Sequence, residues 1–410
     1  MNLYLKSSVT TLNNSVQITG SKSESNRLLL LKALYPNIQI KNISNSDDSE
    51  VMEKGLQVKN GVVDIHHAGT AMRFLTAFFA AQQGRSVVLT GSERMTERPV
   101  KILVDALRQL GAEIKYEKEE GYPPLKIEGK ELTENKVSLA ANVSSQYISA
   151  LLLVAPALKN GLELTLEGKI TSVPYIKMTL ALLEESGVKT SFKGNVIKVF
   201  PVTRIEDKTI VVESDWSSAS YFYSIVALCE VGTTISLSSY KKNSLQGDSS
   251  LVDFYKEFGV KTTYGDNTIT LEKISFVKAG KKVEFDLSNS PDIAQTIAVT
   301  CFGLGIECCL TGLHTLKIKE TDRLEALKTE LSKLGANIEV TDKELFLKPS
   351  TRINEEVDID TYHDHRMAMA FAPLALKVPV IINDAEVVSK SYPGFWEDMK
   401  KLQFDIKPCN

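Results

Sequence analysis

Four glycines that follow helical segments recur along the chain at a nearly constant interval. Gly111, Gly187, Gly259 and Gly335 lie in the stretches LRQLGAEI, LEESGVKT, YKEFGVKT and LSKLGANI, and successive members are 76, 72 and 76 residues apart. Glycine often ends a helix because it readily adopts the left-handed backbone conformation of a C-terminal cap. The interval is longer than a solenoid repeat, so each unit is predicted to be a supersecondary module of several strands and helices.

A second set of similar segments lies between these glycines. Six segments, beginning at residues 21, 68, 144, 217, 291 and 363, each have a polar start, a helix that is apolar on almost every face, and a strand. A helix that is apolar all round is buried, and strands alternating with helices indicate α/β modules. We therefore expect an α/β fold of two similar domains, each of three βαβαββ repeats with buried helices, an inside-out α/β barrel.

The length of the chain and the order of its repeats suggest where the domains divide. With 410 residues, the chain is too long for one ordinary hydrophobic core. We expect an N-terminal-type domain over residues 20–213 and a discontinuous C-terminal-type domain over residues 1–19 and 214–410. The early strand SVQITG is predicted to belong with the second half.

Composition and charge exclude several classes of protein. With 24% charged residues and a net charge of -3, the chain lacks the global basic field that would suggest nucleic-acid binding. The first residues lack the apolar core of a signal peptide, and the longest apolar stretch, ISALLLVAPAL, is too short to cross a bilayer. We expect a cytoplasmic protein that binds neither nucleic acid nor membrane.

Metal and nucleotide motifs are also missing from the sequence. The five cysteines form no CxxC pair and no zinc spacing, and the histidine pairs His66–His67 and His363–His365 lack carboxylates or cysteines at finger or helical spacing. Neither GxxxxGK[ST] nor GxGxxG occurs, so a P-loop and a dinucleotide fingerprint are excluded. We expect reduced thiols and no bound metal.

The polar starts of the six helices point to anionic ligands. The first turn of a helix has free N–H groups and a partial positive charge, which hydroxyl and cationic side chains reinforce. A serine there is also a common neutral cap, so the argument depends on the whole set. Helices of one hand in two facing domains would aim these starts at a ligand cleft between the domains. The helix-start residues are Lys22, Ser23, Arg27, Gly69, Thr70, Arg73, Ser144, Ser145, Gln146, Ser217, Ser218, Asp292, Asp364, His365 and Arg366.

Seven motifs, in order along the chain, resemble the 5-enolpyruvylshikimate-3-phosphate synthase family. They are GSKSESNR, AGTAMR, LTGSERMTERP, SSQ, PDIAQ, KIKETDR and DHRMAMA. The resemblance implies a transferase that moves the enolpyruvyl group of phosphoenolpyruvate to the 5-hydroxyl of shikimate-3-phosphate, without a cofactor, on the pathway to chorismate and aromatic amino acids. It also implies two domains of three βαβαββ repeats with hinges near residues 19–21 and 213–215, and inhibition by glyphosate. We expect a monomer.

The same resemblance places roles on matching residues. Shikimate-3-phosphate is expected at Lys22, Ser23, Arg27, Ser144, Ser145, Gln146, Ser172, Tyr175, Asp292 and Lys319. Phosphoenolpyruvate is expected at Lys22, Gly69, Arg98, Gln146, Arg323, Arg366 and Lys390. The expected catalytic groups, which move the hydroxyl proton and the proton at carbon 3, are Asp292, Glu320 and Lys22.

Some features leave alternatives open. Glu320 could instead serve only as an ion-pair partner of Arg323 one helical turn later. The chain also departs from the family pattern at His67, Phe74 and Thr315, where asparagine, proline and asparagine are usual, so we expect local contacts at these positions to differ from those of the family.

Two other functions are compatible with the same fold. UDP-N-acetylglucosamine enolpyruvyl transferase usually carries a reactive cysteine, or less often an aspartate, in a mobile loop. The corresponding loop here is GSERMTERP, and the first half of the chain contains no cysteine. A non-catalytic anion-binding module would be expected to have lost Asp292, Glu320 or the arginines, and all are present.

Overall fold

The computed structural model describes residues 1–140, 144–168, 170, 173–278 and 280–409. The chain forms two compact units. The discontinuous unit comprises Met1–Thr19 and Glu213–Asn410, and the inserted unit comprises Gly20–Val212. Among the described residues, no helix combines the length and the apolar character that a membrane span requires.

The strands are short and are distributed along the whole chain. In chain order they are β1 (Asn2–Lys6), β2 (Asn13–Val16), β3 (Ile38–Lys41), β4 (Asn60–Asp64), β5 (Ser86–Thr90), β6 (Glu113–Tyr116), β7 (Leu125–Glu128), β8 (Lys136–Ala140), β9 (Leu162–Glu167), β10 (Thr190–Lys193), β11 (Val196–Val199), β12 (Lys208–Val211), β13 (Thr234–Ser238), β14 (Val260–Tyr264), β15 (Thr268–Lys273), β16 (Lys282–Asp286), β17 (Glu307–Thr311), β18 (Ile338–Val340), β19 (Leu345–Leu347), β20 (Val357–Ile359), β21 (Val380–Ile382) and β22 (Asp405–Cys409).

The α-helices alternate with these strands. They are α1 (Lys22–Leu34), α2 (Asp47–Gln57), α3 (Gly69–Ala80), α4 (Glu93–Thr96), α5 (Lys101–Gln109), α6 (Ser145–Val154), α7 (Val173–Glu185), α8 (Trp216–Leu228), α9 (Leu251–Phe254), α10 (Ala294–Leu304), α11 (Arg323–Lys333), α12 (His365–Phe371) and α13 (Phe395–Lys401).

The inserted unit contains two complete βαβαββ repeats and one short repeat. Its two four-stranded sheets have the orders β4-β5-β7-β6 and β10-β11-β9-β8, each with one parallel pair followed by an antiparallel hairpin. The third sheet pairs only β3 and β12, in parallel. This repeat lacks its closing hairpin because only Val58 and Lys59 separate α2 from β4.

The discontinuous unit contains three complete four-stranded sheets. Their orders are β14-β15-β13-β2, β16-β17-β19-β18 and β20-β21-β1-β22. Strand β2 pairs in parallel with β13, which confirms that the SVQITG stretch joins the second half of the chain. Strand β1 lies antiparallel between β21 and β22 and so completes the last repeat. The predicted α/β architecture of repeated modules is thereby confirmed.

The predicted burial of the six helices is also confirmed. In α3 every residue except Thr70 is buried, and in α8 every residue except Ser217 is buried. Hydroxyl groups inside these helices bond to one another, for example Ser220 to Thr296 at 2.9 Å. Such pairing satisfies the hydrogen-bonding groups of buried polar side chains. Hydroxyl residues inside these helices are therefore compatible with their burial in the core.

Candidate active site

The start of α1 presents a lysine in the inserted unit. Leu28 to Leu31 are buried and hold the helix in the core, while Lys22, its first residue, is partly exposed. The side chain of Ser21 makes no capping bond to the first turn. The Lys22 ammonium lies 3.0 Å from a carboxylate oxygen of Asp48, in the first turn of α2. Asp48 was not among the residues singled out from the sequence.

Arg27 lies one turn further along α1 and is almost completely buried. Its guanidinium donates to the hydroxyls of Thr179 and Ser149 at 2.8 and 3.1 Å and to the carbonyl of Ser23 at 2.7 Å. It also lies 5.9 Å from the centre of the Tyr175 ring. Burial lowers the pKa of Arg27 to about 10. The structure therefore brings together Ser23, Arg27 and Tyr175, three of the residues expected to hold shikimate-3-phosphate.

Gly69 begins α3 and lies directly against a cation. A methyl group at Gly69 would be 2.6 Å from a guanidinium nitrogen of Arg98. Arg73, one turn further on, donates to the carbonyls of Gly69 and Pro99 at 3.2 and 3.0 Å. Burial, with the nearby charge of Arg98, lowers the pKa of Arg73 to about 10. Arg73 thus fixes the loop that carries Arg98 relative to the start of α3.

The start of α6 carries the SSQ motif. The Ser144 hydroxyl accepts a long bond of 3.4 Å from the Gln146 amide N–H, and the Gln146 side chain donates to the Thr70 hydroxyl at 3.1 Å. The starts of α3 and α6 are therefore adjacent. Ser145 is buried. Ser172, another predicted site residue, lies outside the described residues.

Asp292 is the centre of a charged group in the discontinuous unit. Its carboxylate lies 2.9 Å from Arg323 and 3.3 Å from both Lys319 and Arg366. Arg366 also donates to the Asp292 carbonyl at 3.1 Å. Burial alone would raise the pKa of Asp292, but the charges of Arg366, Lys319 and Arg323 outweigh it and hold that pKa well below its usual range.

Arg323, the first residue of α11, joins three acids. Besides Asp292, it donates to Glu320 at 2.8 Å and to Asp364 at 2.6 Å. Burial alone would lower the pKa of Arg323, and the charges of Asp364, Glu320 and Asp292 raise it instead. Asp364 is fully buried and also caps α12 by accepting from the Arg366 N–H at 2.9 Å. The ion pair considered for Glu320 is therefore present.

Asp248 is a buried acid that the sequence analysis missed. It lies in the stretch LQGDSS before α9 and accepts a hydrogen bond from the Ser217 hydroxyl at the start of α8. Burial, and then the negative charge of Asp292, raise the pKa of Asp248 to about 7. An aspartate beside turn residues gives no sequence signal of burial, because exposed turns have the same composition.

Lys390 is held by a different segment of the discontinuous unit. Its ammonium donates to the carbonyl of His363 at 2.7 Å. His363 and Tyr362 both have positive φ angles, +55° and +54°, and the His363 ring lies 2.7 Å from Asp384. Residues in this backbone region are strained, and here the strained turn leads directly into the Asp364 cap of α12.

Within each unit, most of the expected site residues are brought together. In the inserted unit the starts of α1, α3 and α6 carry Lys22, Gly69 and Ser145. In the discontinuous unit, Lys319, Glu320, Arg323 and Arg366 surround Asp292 directly or through Arg323.

Comparison with known proteins identifies the family of the chain. Residues 46–399 match the family described as EPSP synthase (3-phosphoshikimate 1-carboxyvinyltransferase). The chain is 45% identical over 408 residues to the 3-phosphoshikimate 1-carboxyvinyltransferase of Bacteroides fragilis strain YCH46, and the match covers 98% of each chain. Over an alignment of 434 positions, gaps included, it is 35% identical to the enzyme of the same name from Haemophilus influenzae strain KW20 Rd, and the match covers 96% of this chain and 97% of the relative.

Solved structures give the same result for the fold. An EPSP synthase structure from Acinetobacter baumannii covers 100% of both chains with a TM-score of 0.81, at 20% sequence identity. That identity is too low to argue about function, whereas the sequence relatives extend along almost the whole chain. On this basis the chain belongs to the EPSP synthase (3-phosphoshikimate 1-carboxyvinyltransferase) family.

Proposed function

We propose that this protein transfers the enolpyruvyl group of phosphoenolpyruvate to the 5-hydroxyl of shikimate-3-phosphate and releases phosphate. The observation that supports the proposal most strongly is the Asp292 group, a nearly buried carboxylate held among three cations in a member of this family. Such a group combines a proton acceptor with the positive charge that an anionic substrate needs.

The contacts of the three cations suggest which of them would bind phosphoenolpyruvate. Arg323 is fixed by short bonds to Asp292 and Asp364, at 2.9 and 2.6 Å. Lys319 and Arg366 lie further from Asp292, at 3.3 Å each. An incoming anion can therefore recruit Lys319 and Arg366 with less loss than Arg323. Arg366 and Arg323 remain the proposed phosphoenolpyruvate contacts, with Arg323 also holding the acids in place, and Lys319 remains a proposed shikimate-3-phosphate contact.

This arrangement couples the basicity of Asp292 to substrate binding. A carboxylate whose pKa is held well below its usual range is a weak base. When substrate anions take up part of the charge of Lys319 and Arg366, the pKa of Asp292 rises toward its usual value. Asp292 then becomes a more effective base when the substrates are present.

The bond changes follow from the chemistry of an enol phosphate. Carbon 3 of phosphoenolpyruvate gains a proton, and the 5-hydroxyl oxygen bonds to carbon 2 as Asp292 or Glu320 accepts the hydroxyl proton. The tetrahedral intermediate then loses phosphate from carbon 2 and a proton from carbon 3, which restores the double bond. Lys22 is the proposed partner for proton transfer at carbon 3, and the cations stabilise the departing phosphate.

The inserted unit is proposed to hold shikimate-3-phosphate. Ser144 and Ser145 at the start of α6 offer hydroxyl and backbone N–H groups to a phosphate. Arg27 is already engaged with Ser23, Ser149 and Thr179, so its proposed role is to orient this pocket as well as to supply charge. Gly69, Arg98 and Gln146 are proposed to contact phosphoenolpyruvate.

Substrate choice is the direct test of the proposed function. Phosphate release should occur with phosphoenolpyruvate and shikimate-3-phosphate, and it should be absent with phosphoenolpyruvate and UDP-N-acetylglucosamine. Asp292→Asn should lower kcat by about 100-fold or more, because proton transfer is lost. Asp253→Asn, which changes an exposed aspartate, is the matched control and should leave kcat unchanged. Phosphate release with UDP-N-acetylglucosamine as the acceptor, and none with shikimate-3-phosphate, would refute the proposal.

The finer expectations about state and location belong to the same proposal. We propose a monomer that works in the cytoplasm without metal, cofactor or nucleic acid. Size-exclusion chromatography with light scattering should give a mass near 45.3 kDa. Activity should persist after treatment with a chelator, and a loss that added metal restores would contradict this part of the proposal.

A further inference from the structure

A cavity beside α2 is lined by His67 and by Asp48, the ion-pair partner of Lys22 in α1. The cavity has a volume of about 240 Å³ and is lined by α2 on one side and by residues 65–68, just before α3, on the other. Asp48 and His67 both contribute to its lining. His67 stands where the family usually has asparagine, so this neighbourhood carries a titratable group of its own.

Asp48 lies between the side chains of Lys22 and His67. One oxygen of its carboxylate lies 3.0 Å from the Lys22 ammonium, and the other lies 3.8 Å from Nε2 of His67. The second distance is too long for a hydrogen bond but short enough for an ion pair if the imidazole is protonated. Asp48 is nearly buried, so solvent screens these charges only weakly.

We propose that His67 is a positioning residue that controls, through Asp48, how much of the positive charge of Lys22 is available to substrate. This inference rests on the proposed function, in which Lys22 contacts phosphoenolpyruvate. With a neutral imidazole, the charge of Asp48 is offset by the Lys22 ammonium. With a protonated imidazole, Asp48 is shared between two cations, and the Lys22 ammonium is freer to bind an anion.

The sign of the effect follows directly. Histidine is the side chain that ordinarily changes charge between pH 5 and 8. As the pH falls through this range, His67 gains a proton, the pairing of Asp48 with Lys22 weakens, and anion binding at Lys22 strengthens. The KM for phosphoenolpyruvate should therefore rise with pH more steeply in the native protein than in a variant that lacks this imidazole.

Other charged groups around His67 must be weighed against Asp48. His66 belongs to the same turn, but its ring is 67% exposed and is 3.8 Å from Asp64, so it forms a separate pair. The guanidinium of Arg98 packs at Gly69, two residues after His67 in the chain. A cation in this neighbourhood would act against Asp48, because positive charge disfavours a protonated imidazole. Helix α2 contributes the remaining titratable groups of the cavity lining, which are Asp47, Asp48, Glu50 and Lys54.

The first experiment needs no substrate. The chain has five histidines, so NMR titration of the imidazole signals, assigned with His67→Asn, follows the midpoint of His67 directly. Lys22→Met removes the competing cation and should raise that midpoint by about half a pH unit or more, whereas Asp48→Asn should lower it. His66→Asn is the matched control and should leave it in place. An unchanged midpoint in both Lys22→Met and Asp48→Asn would overturn the coupling.

The second experiment measures the consequence for catalysis. The KM for phosphoenolpyruvate should be measured at pH 6, 7 and 8 in the native protein and in His67→Asn, with His67→Gln as a second variant. Phosphoenolpyruvate itself titrates in this range, and comparing variants cancels that contribution. We expect the native KM to rise by about three- to tenfold more than the variant KM between pH 6 and 8, while His66→Asn follows the native profile.

The outcomes separate this inference from the proposed function. Parallel pH profiles in the native protein, His67→Asn and His67→Gln would overturn the role of His67, even if all three turn over substrate normally. Absence of turnover in the native protein would refute the proposed function, whereas the NMR result for the Lys22, Asp48 and His67 set would still stand on its own.

Discussion

At the scale of single residues, Arg323 organises the acidic side of the candidate site. Its side chain is only 2% exposed, and its bonds reach Asp292, Glu320 and Asp364. The planar guanidinium presents donors in several fixed directions, which lysine cannot reproduce. Its donors therefore hold three carboxyl groups close together on this side of the site.

Asp248 provides a prediction at this scale because its raised pKa affects stability. The folded protein keeps a proton on Asp248 up to a pH of about 7, whereas an unfolded aspartate loses it near pH 3.8. Between these values the folded state binds more protons, so the free energy of unfolding falls as the pH rises, by at most about 1.4 kcal/mol per pH unit. Asp292 has the opposite shift, which acts below pH 3.8, outside this window.

The expected result is a difference in pH dependence between two variants. Asp248→Asn should lose less stability between pH 5 and 7 than the native protein, as measured by denaturant unfolding. Asp253→Asn, at an exposed position, should behave like the native protein. If the Asp248→Asn and native curves had the same slope, Asp248 would not retain its proton in the folded state.

Gly69 gives a second prediction at the residue scale. The methyl group of Gly69→Ala would displace the guanidinium of Arg98, which now lies 2.6 Å from that position. Because the guanidinium is the end of a flexible side chain, we expect the fold to persist and the KM for phosphoenolpyruvate to rise by about tenfold. The KM for shikimate-3-phosphate should change little.

A double-mutant cycle identifies the cause of this effect. If the methyl group acts by moving Arg98, then Gly69→Ala should have little further effect in an Arg98→Ala background. Additive effects of the two substitutions would instead mean that the methyl group meets the substrate directly. A change confined to the KM for shikimate-3-phosphate would contradict the placement of phosphoenolpyruvate at Gly69.

At the scale of elements, one helix ending recurs through the complete repeats. The glycines of the four-member set, Gly111, Gly187, Gly259 and Gly335, have φ angles of +100°, +97°, +71° and +96°. In three of them the next N–H bonds back to the last helical turn, as Ala112 does to Leu107 at 2.9 Å. This is the bonding pattern of a Schellman cap.

The fifth complete repeat has the same ending without a glycine. Gln403 follows α13 with a φ angle of +64°, and Phe404 N–H bonds to the Met399 carbonyl at 3.2 Å. A left-handed conformation costs a residue with a Cβ atom roughly 1–2 kcal/mol. Because glutamine occupies this position, a search for periodic glycines finds only four of the five endings.

This difference predicts a stabilising substitution. Gln403→Gly should raise the free energy of unfolding by about 0.5–1 kcal/mol, because relief of the strained angle exceeds the entropy that glycine adds to the unfolded chain. Gly111→Ala is the converse control: its methyl group would meet no atom within 4 Å, so a loss of about 1 kcal/mol would report backbone strain alone. Destabilisation by Gln403→Gly in thermal or denaturant unfolding would contradict this assignment.

At the scale of the whole molecule, the two ends of the inserted unit lie together. Val212 N–H donates to the Lys41 carbonyl at 3.0 Å, and the Asn42 side chain donates to the Val212 carbonyl at 2.9 Å. Gly20 packs so closely that a methyl group there would be 1.8 Å from the Asn42 carbonyl oxygen. The chain therefore enters this unit at Gly20 and leaves it at Val212 at the same place, beside the end of β3.

An insertion with adjacent ends and its own core should fold alone. We expect the fragment of residues 20–212 to show a cooperative thermal transition by circular dichroism and a dispersed NMR spectrum. A fragment of residues 20–206 lacks β12, including the buried Ile210, and leaves β3 unpaired, so it should be markedly less stable. Equal stability of the two fragments, or no cooperative transition in the longer one, would contradict this prediction.

The sequence by itself determined the class of fold, the burial of six helices and the family. These depend on local patterns that repeat: apolar periodicity, helix-ending glycines such as Gly111, and motifs at helix starts. The missing hairpin after α2 could have been read from the short spacing before β4, but the expectation of six equal repeats obscured it.

Only the tertiary structure decided which charges meet. Lys22 and Asp48, and Asp248 and Ser217, are brought together by elements packed from distant parts of the chain. A pKa depends on burial and on charges within a few ångströms, and neither quantity can be read from residue order. For the same reason, the bonds of Arg27 to Ser149 and Thr179 follow from packing and have no local sequence signal. The same holds for the bonds of Arg323 to Asp292 and Asp364, whereas its pair with Glu320 follows from their spacing.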